Sequence, residues 1–516
     1  MCHNRLEGAQ LPQFHAAPNG PGAFGYSERR LRLGRWSPTP ARRHSDPQVV
    51  YLLEILVTST VSAAPPAAPA RARALAGIAL GYFMVLLDTT VLSVAEPDLA
   101  RSFGGAGVAG LQWTVTGYTL VFGAALLTAG SVADRYGAHR VFRVAVAAFG
   151  LVSLLSAFAP SLWALVGLRA LLGLAAAGCV PASMAMIARL YPVPAERARA
   201  VAVWAATSGA ALVAGPVAGG ALTDLAGWRA IFLINAPLAA VTLALTAGAA
   251  VRCPRGDRRI DWAAQILACA AVALLTDTLI ALGAHSLVHA AWSAGATAVA
   301  VYAFAVRERR GHAPVLAPAV LRTPGVPGAL LAGAAVNFAM SGVLFVLPLL
   351  FQQALGLTPG QIGAALLPMT LPFAVNPLLT GRIVARSGPR PPVLTGLGLL
   401  AAGGVAFGAA VWAGASYPFL LAGLVATGFG VSFALPALAT LVVTAAPEGA
   451  AGVAGGLLNA ARQCGATIGV AVTGAFVTVG VPDQGYRGAA YALVVPAVVC
   501  AAAAVAIARP TRRPAG

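Results

Sequence analysis

Gly130-Ser-Val-Ala-Asp134-Arg135-Tyr-Gly137-Ala-His-Arg140 and Gly381-Arg-Ile-Val-Ala-Arg386-Ser-Gly388-Pro-Arg390 are two copies of one frame. Each holds a glycine, an arginine five residues later and a second glycine seven residues later, and the copies begin 251 residues apart. Each closes an apolar stretch with a short basic turn. Duplicated apolar halves around a central site are how many secondary transporters are built. The frame therefore predicts a membrane chain made of two related halves.

The sequence around the two turns agrees. From residue 74 onward, apolar stretches of about 20 residues follow one another, each long enough to cross about 30 Å of hydrocarbon as helix. They lie near 78–97, 112–131, 141–159, 162–184, 202–223, 229–250 and 262–283, then 287–306, 327–350, 361–380, 392–412, 417–444, 452–479 and 488–508. Fourteen spans are expected. Strands are excluded, because barrel segments alternate in polarity and these do not. Of the 516 residues, 59% are hydrophobic and only 10% charged, where a soluble domain carries about a quarter charged residues. That composition excludes a cytosolic enzyme, a secreted disulfide scaffold and a disordered chain. Short loops leave no room for a nucleotide-binding domain, and no GxxxxGK[ST] occurs.

The net charge of +18 comes from 34 basic residues that are all arginine. They punctuate the apolar stretches instead of gathering on one face, so they read as topology signals and not as a nucleic-acid surface. With the N-terminus inside, the inner loops and C-terminal tail hold twenty of them, and the outer loops hold only Arg101, Arg229 and Arg487. This bias predicts a multi-pass protein of the cell membrane with both termini cytoplasmic. The expected division is a disordered cytoplasmic tail or pre-start sequence at 1–73, a six-helix half at 74–251, a linker with two inserted helices at 252–326, a second six-helix half at 327–508, and a tail at 509–516. Six cysteines are scattered without a CxxC, and seven histidines lack ligand spacing. No metal or cofactor is expected.

Several motifs then appear in order. Span one carries Leu87-Asp88-Thr89-Thr90-Val91-Leu92-Ser93-Val94-Ala95-Glu96-Pro97, and span four carries Arg169-Ala-Leu-Leu-Gly173. Span five carries Gly215-Pro216-Val-Ala-Gly219-Gly220. Further on come Trp228-Arg229-Ala-Ile-Phe232-Leu-Ile-Asn235-Ala-Pro237 and Asn459-Ala-Ala-Arg462-Gln463-Cys-Gly465-Ala-Thr-Ile-Gly469. Together with the Gly130–Arg140 turn, this set resembles the major facilitator superfamily. Within it, the set is similar to the fourteen-span drug/proton antiporter branch (EmrB/QacA-like) and to methylenomycin-type resistance exporters. The resemblance covers residues 74–508. It implies an all-α fold of two six-helix halves plus two inserted helices. By resemblance, Gly130, Asp134, Arg135, Gly137 and Arg140 form a cytoplasmic gate, and Gly215, Pro216, Gly219 and Gly220 an antiporter motif. Ser93 and Glu96 depart from the family's LDxTxxNxAxP, which has asparagine and commonly an apolar residue there. Leu172 replaces the glutamine of its RxxqG.

Ionisable groups at bilayer depth cost several kcal/mol and are functional hypotheses by default. Asp88 lies roughly 13 Å and Arg169 roughly 10 Å from the outer ends of their spans at 1.5 Å per residue. In the resembled fold these spans are neighbours lining the cavity, so the two form a candidate proton-coupling pair. Glu96 is expected at the outer boundary, in water. Asp277 is expected to be locally satisfied or to face lipid, on the inserted pair. Asn337, Asn376 and Arg462 are expected to be polar groups of the second half's cavity. The function implied is proton-coupled export of a small amphipathic drug or antibiotic by a monomer. Export of an endogenous metabolite and a transporter-like receptor are the alternatives. Neither DDxxD nor HExxH occurs, so an intramembrane enzyme is not expected.

Overall fold

The computed structural model describes residues 68–104, 107–248, 253, 261–310, 316, 318–414, 417–447, 450–479 and 487–508. Of the expected tails at 1–73 and 509–516, residues 1–67 and 509–516 lie outside the described residues. Lipid offers the backbone no hydrogen-bond partner, so apolar stretches must satisfy their own N–H and C=O groups as helix. In chain order they give α1 (Ala68–Val91), a 3-10 turn (Ser93–Ala95), α2 (Glu96–Ser102), α3 (Val108–Tyr136), α4 (Ala138–Ser156), α5 (Leu162–Leu190), α6 (Pro194–Ala226), α7 (Ala230–Leu233) and α8 (Asn235–Leu245). Next come α9 (Trp262–Gly283), α10 (Leu287–Arg310), α11 (Pro318–Leu321), α12 (Val326–Leu355), α13 (Pro359–Ala365), α14 (Leu367–Thr370), α15 (Pro372–Val375) and α16 (Pro377–Ser387). The last four are α17 (Arg390–Trp412), α18 (Tyr417–Ala445), α19 (Ala451–Val479) and α20 (Arg487–Ala508).

Among the described residues ten helices are long and apolar enough to cross a membrane, or eleven if the bent α3 counts as one span. That is fewer than the fourteen continuous spans expected, and proline accounts for much of the difference. The stretch expected as one span at 361–380 is broken into α13–α16, with Pro359, Pro368, Pro372 and Pro377 each in the first turn of a piece. Each proline removes an N–H from the helical ladder. The stretch at 229–250 is likewise split into α7 and α8, with Pro237 in the first turn of α8. At the other end of the chain, α1 begins at Ala68 and not at residue 74, so the last residues assigned to the N-terminal tail are helical.

Packing follows the duplication read from the turns. Before residue 249, α1 packs on α6 and α8, α4 on α5 and α8, and α3 on α5. After residue 325 the same relations recur: α12 packs on α19 and α20, α17 on α18 and α20, and α14–α16 on α18. Two seams join the sets, α3 against α19 and α6 against α13. The α9–α10 pair packs on itself and reaches both α3 and α19 through α9. Small residues set the close approaches, as they do where backbones meet in lipid. A Cβ at Gly173 would strike the Tyr118 carbonyl, and one at Gly465 the Ala334 carbonyl. Large apolar side chains such as Leu151, Phe158, Val299 and Leu378 point outward, exposed.

Candidate functional site

Asp88 is in the last turn of α1, and Arg169 is in the first third of α5. Both are buried, and Arg169 Nη1 donates to Asp88 Oδ2. The guanidinium is fixed from two further sides. Its Nε donates to the Thr114 carbonyl at 3.1 Å, and its Cζ lies 4.5 Å from the centroid of the Tyr118 ring. The Tyr118 hydroxyl in turn donates to the Val85 carbonyl at 3.2 Å, tying α3 back to α1. On the carboxylate's other oxygen, Asn235 Nδ2 donates at 3.4 Å, and the same amide donates to Ser153 Oγ at 3.0 Å. Five helices thus converge on one buried pair. Removing one partner of such a pair costs about 3–5 kcal/mol, because the other charge is stranded.

Arg169 also lines a cavity of about 200 Å³ between the two helix sets. Arg462 and Asn337 line it from α19 and α12. Arg462 Nε donates to Asn337 Oδ1 and its Nη1 to Asn459 Oδ1, both at 3.1 Å. Two of the second half's three expected polar residues are therefore brought together there. Asn376 is not among them. It is buried away from this cavity, where its amide donates to Ser432 Oγ at 2.8 Å, because the broken α15–α16 segment turns it toward α18.

Glu96 corrects the sequence reading. It is not in water at a span's end but 1% exposed, on the wall of the same cavity. The chain does not leave the helix bundle at residue 97; it continues through the 3-10 turn and α2 to Ser102. That carries Glu96 inward. Asp277, by contrast, has a local partner, His289 Nε2 at 2.8 Å across the α9–α10 pair.

A second cavity, of about 510 Å³, lies toward the Gly130–Arg140 turn and is lined by Gly130, Asp134, Met184, Trp204, Gly455 and Asn459 among others. The two follow one another along α19, with residues 451–459 on one and 462–466 on the other. Between them stands a stacked aromatic pair. Tyr82 lines the first cavity and Trp204 the second, with ring centroids 3.9 Å apart and planes within 5°. The turn itself places Gly137 at φ +91° between α3 and α4, a conformation that favours glycine. Arg135 lies 5.7 Å over the Tyr136 ring, and Arg140 is exposed in the first turn of α4.

The opposite end is closed by the glycines of α6. Gly215 and Gly219 press on Thr90 and Val91 of α1, while Gly220 meets the Pro359 carbonyl of α13, with Pro216 against Gly363 alongside. Asp224, a turn further, accepts from the Gly360 N–H at 2.9 Å and from Thr358 Oγ1 at 3.1 Å. On the other seam Gln112 Nε2 donates to the Ala471 carbonyl at 2.7 Å, and the Thr119 and Thr467 hydroxyls meet at 2.9 Å. Sequence reasoning quoted Asn235 only as part of a motif, and it missed Tyr82, Tyr118, Ser153 and Trp204. Aromatic and hydroxyl residues carry no mark of their own in an apolar helix.

Two packed helix sets around a buried charge pair and a cavity between them are an arrangement on which many membrane transporters are built. The model of the Major Facilitator Superfamily matches residues 78–335 and 329–516, and the chain belongs to that family. It is therefore a multi-pass membrane transporter and not an enzyme. It is 35% identical over 401 residues to the multidrug resistance protein Stp of Mycobacterium tuberculosis (strain CDC 1551 / Oshkosh), covering 77% of this chain and 74% of that one. It is 34% identical over 407 residues to the methylenomycin A resistance protein of Streptomyces coelicolor, covering 77% and 84%. Among solved structures, a bacterial homologue of the human lysosomal transporter Spinster, inward-facing and unoccupied, superposes with a TM-score of 0.61 at 18% identity. That match covers 86% of this chain and 97% of that one.

Proposed function

We infer that this chain exports small amphipathic drugs or antibiotics across the cell membrane in exchange for protons, by alternating access of two six-helix halves within a fourteen-span monomer. The arginine bias supports an orientation with both termini and the Gly130–Arg140 turn in the cytoplasm. On that orientation the zipped α6–α13 seam is the outer gate, closed, and the wider cavity is a vestibule open to the cytoplasm. Substrate enters from that side and passes the Tyr82–Trp204 stack into the central cavity. Asp134, Arg135 and Arg140 latch the cytoplasmic turn when the halves rock the other way.

The observation that carries the reading is the buried Asp88–Arg169 pair beside the central cavity. A desolvated carboxylate and a neighbouring guanidinium act on proton affinity in opposite directions, so small changes in cavity opening shift the balance. A proton on Asp88 removes the charge that holds Arg169, which among the described residues keeps Thr114 and the Tyr118 ring. That difference in contacts is what lets a proton favour one arrangement of α1 and α5 over another. The names of the similar relatives, both resistance proteins, supply the substrate class. The test is expression in an efflux-deficient host with a susceptibility panel, with and without a protonophore. Raised tolerance that the protonophore abolishes supports the reading, and tolerance indifferent to the protonophore removes proton coupling from it.

A further inference from the structure

Glu96 presents a carboxylate that nothing in the proton pair accounts for. It is 1% exposed, lines the central cavity, and its Oε2 has no hydrogen-bond partner among the described residues. The two arginines on the same wall are already engaged elsewhere: Arg169 with Asp88 and the Thr114 carbonyl, Arg462 with Asn337 and Asn459. A carboxylate buried without a partner is costly, and a transporter retains such groups where substrate passes. The surrounding wall suits an apolar body: Leu86, Leu92, Val115, Met340, Leu344 and Phe345.

We propose that Glu96 is a substrate-binding residue that takes the cationic group of an amphipathic substrate, an ammonium or amidinium carried on an apolar body, and so biases this transporter toward cations. The body fills the apolar wall, and the charge reaches Oε2. The Tyr82 and Phe345 rings on the same cavity add faces on which a cation is attracted. The proposal rests on the export reading but fails separately from it.

The experiment uses the full chain in nanodiscs, with its native cysteines replaced by alanine and Ser341, on the cavity wall, replaced by cysteine. Protection of Cys-substituted Ser341 from a thiol reagent is measured with phenyltrimethylammonium and with its uncharged isostere tert-butylbenzene. Phenyltrimethylammonium should protect. Its half-protecting concentration should rise about tenfold or more in Glu96→Gln, since the attraction between the opposite charges is lost, and should return to within about threefold of the parent in Glu96→Asp. Protection by tert-butylbenzene should be alike in all three. Equal protection by the cation in the parent and Glu96→Gln would overturn the proposal. So would a parallel loss of both probes, which marks Glu96 as a shaping residue only, or no protection of the parent by the cation. Export in the susceptibility panel alongside any of those results leaves the export reading standing and this proposal refuted.

Discussion

Arg169 holds Asp88 through Nη1 while its Nε is engaged by the carbonyl of Thr114 and its face rests on Tyr118. The pair therefore joins α1 to α5 and, through α5's arginine, to α3. A lysine could reach the carboxylate but could not also serve Thr114 with a fixed second donor or stack on the ring. Arg169→Lys should fold and insert, yet lower transport about tenfold or more, since geometry and not charge alone is lost. Initial rates of efflux at matched protein levels check this. Rates within a factor of about two would reduce Arg169 to a point charge.

The glycines that resemble family motifs are not equivalent. A Cβ at Gly220 would run into the Pro359 carbonyl of α13, whereas one at Gly130 would meet nothing within 4 Å among the described residues. Gly220→Val should block closure of the α6–α13 seam and abolish transport, while Gly130→Ala should transport nearly as the parent does. Gly137→Ala falls between, strained by φ +91° at a cost of about 1–3 kcal/mol. Susceptibility assays with thermal-melt measurements on the purified variants would separate the three.

The Tyr82–Trp204 stack puts one ring on each of the two cavities. Trp204→Ala should let a membrane-impermeant thiol reagent, supplied from the Gly130 side, reach a cysteine at position 341 about tenfold faster, a factor that corresponds to about 1.4 kcal/mol of lost barrier. An unchanged rate would place the barrier elsewhere.

Asp261 caps α9 through the Ala264 N–H at 3.1 Å and meets Arg307 of α10, whose Nε lies 3.0 Å from Oδ2. The Ala264 amide, and then Arg307, hold its carboxyl below the usual carboxylate range. A group depressed in the folded state stabilises above its unfolded value and loses that stabilisation as pH falls through the folded one. Amide exchange at the start of α9 should therefore stay slow through neutral and mildly acidic pH, with opening appearing only below the ordinary carboxylate range. Asp261→Ala, which loses both the cap and the Arg307 pair, should show fast exchange already at neutral pH.

How much of this was legible in the sequence depends on which physical signal each residue leaves. The helices follow from apolar length, and the internal duplication from the spacing of Gly130, Arg135 and Gly137 against Gly381, Arg386 and Gly388. Asp88 and Arg169 stand out because charge at depth is rare, and their separate depths already matched. Breaks were harder. Hydropathy counts Pro368, Pro372 and Pro377 as neutral filler, although each interrupts the ladder, so 361–380 read as one span. Glu96 was misplaced for a related reason: apolar length ended the span at residue 97, while the backbone continued as a tightened turn and a short helix. Asn376 needed the direction of that broken segment, which no spacing supplies.

Coupling through Asp88 is tested most directly in proteoliposomes with an imposed pH gradient, using a compound to which the susceptibility panel shows tolerance. At matched protein levels, Asp88→Asn should fail to accumulate the compound against its gradient while still exchanging it downhill. Asp277→Asn, whose parent carboxylate is paired with His289 on the α9–α10 pair, should accumulate it nearly as the parent chain does. If Asp88→Asn still pumps uphill and Asp277→Asn does not, the coupling carboxylate lies on α9 and not on α1.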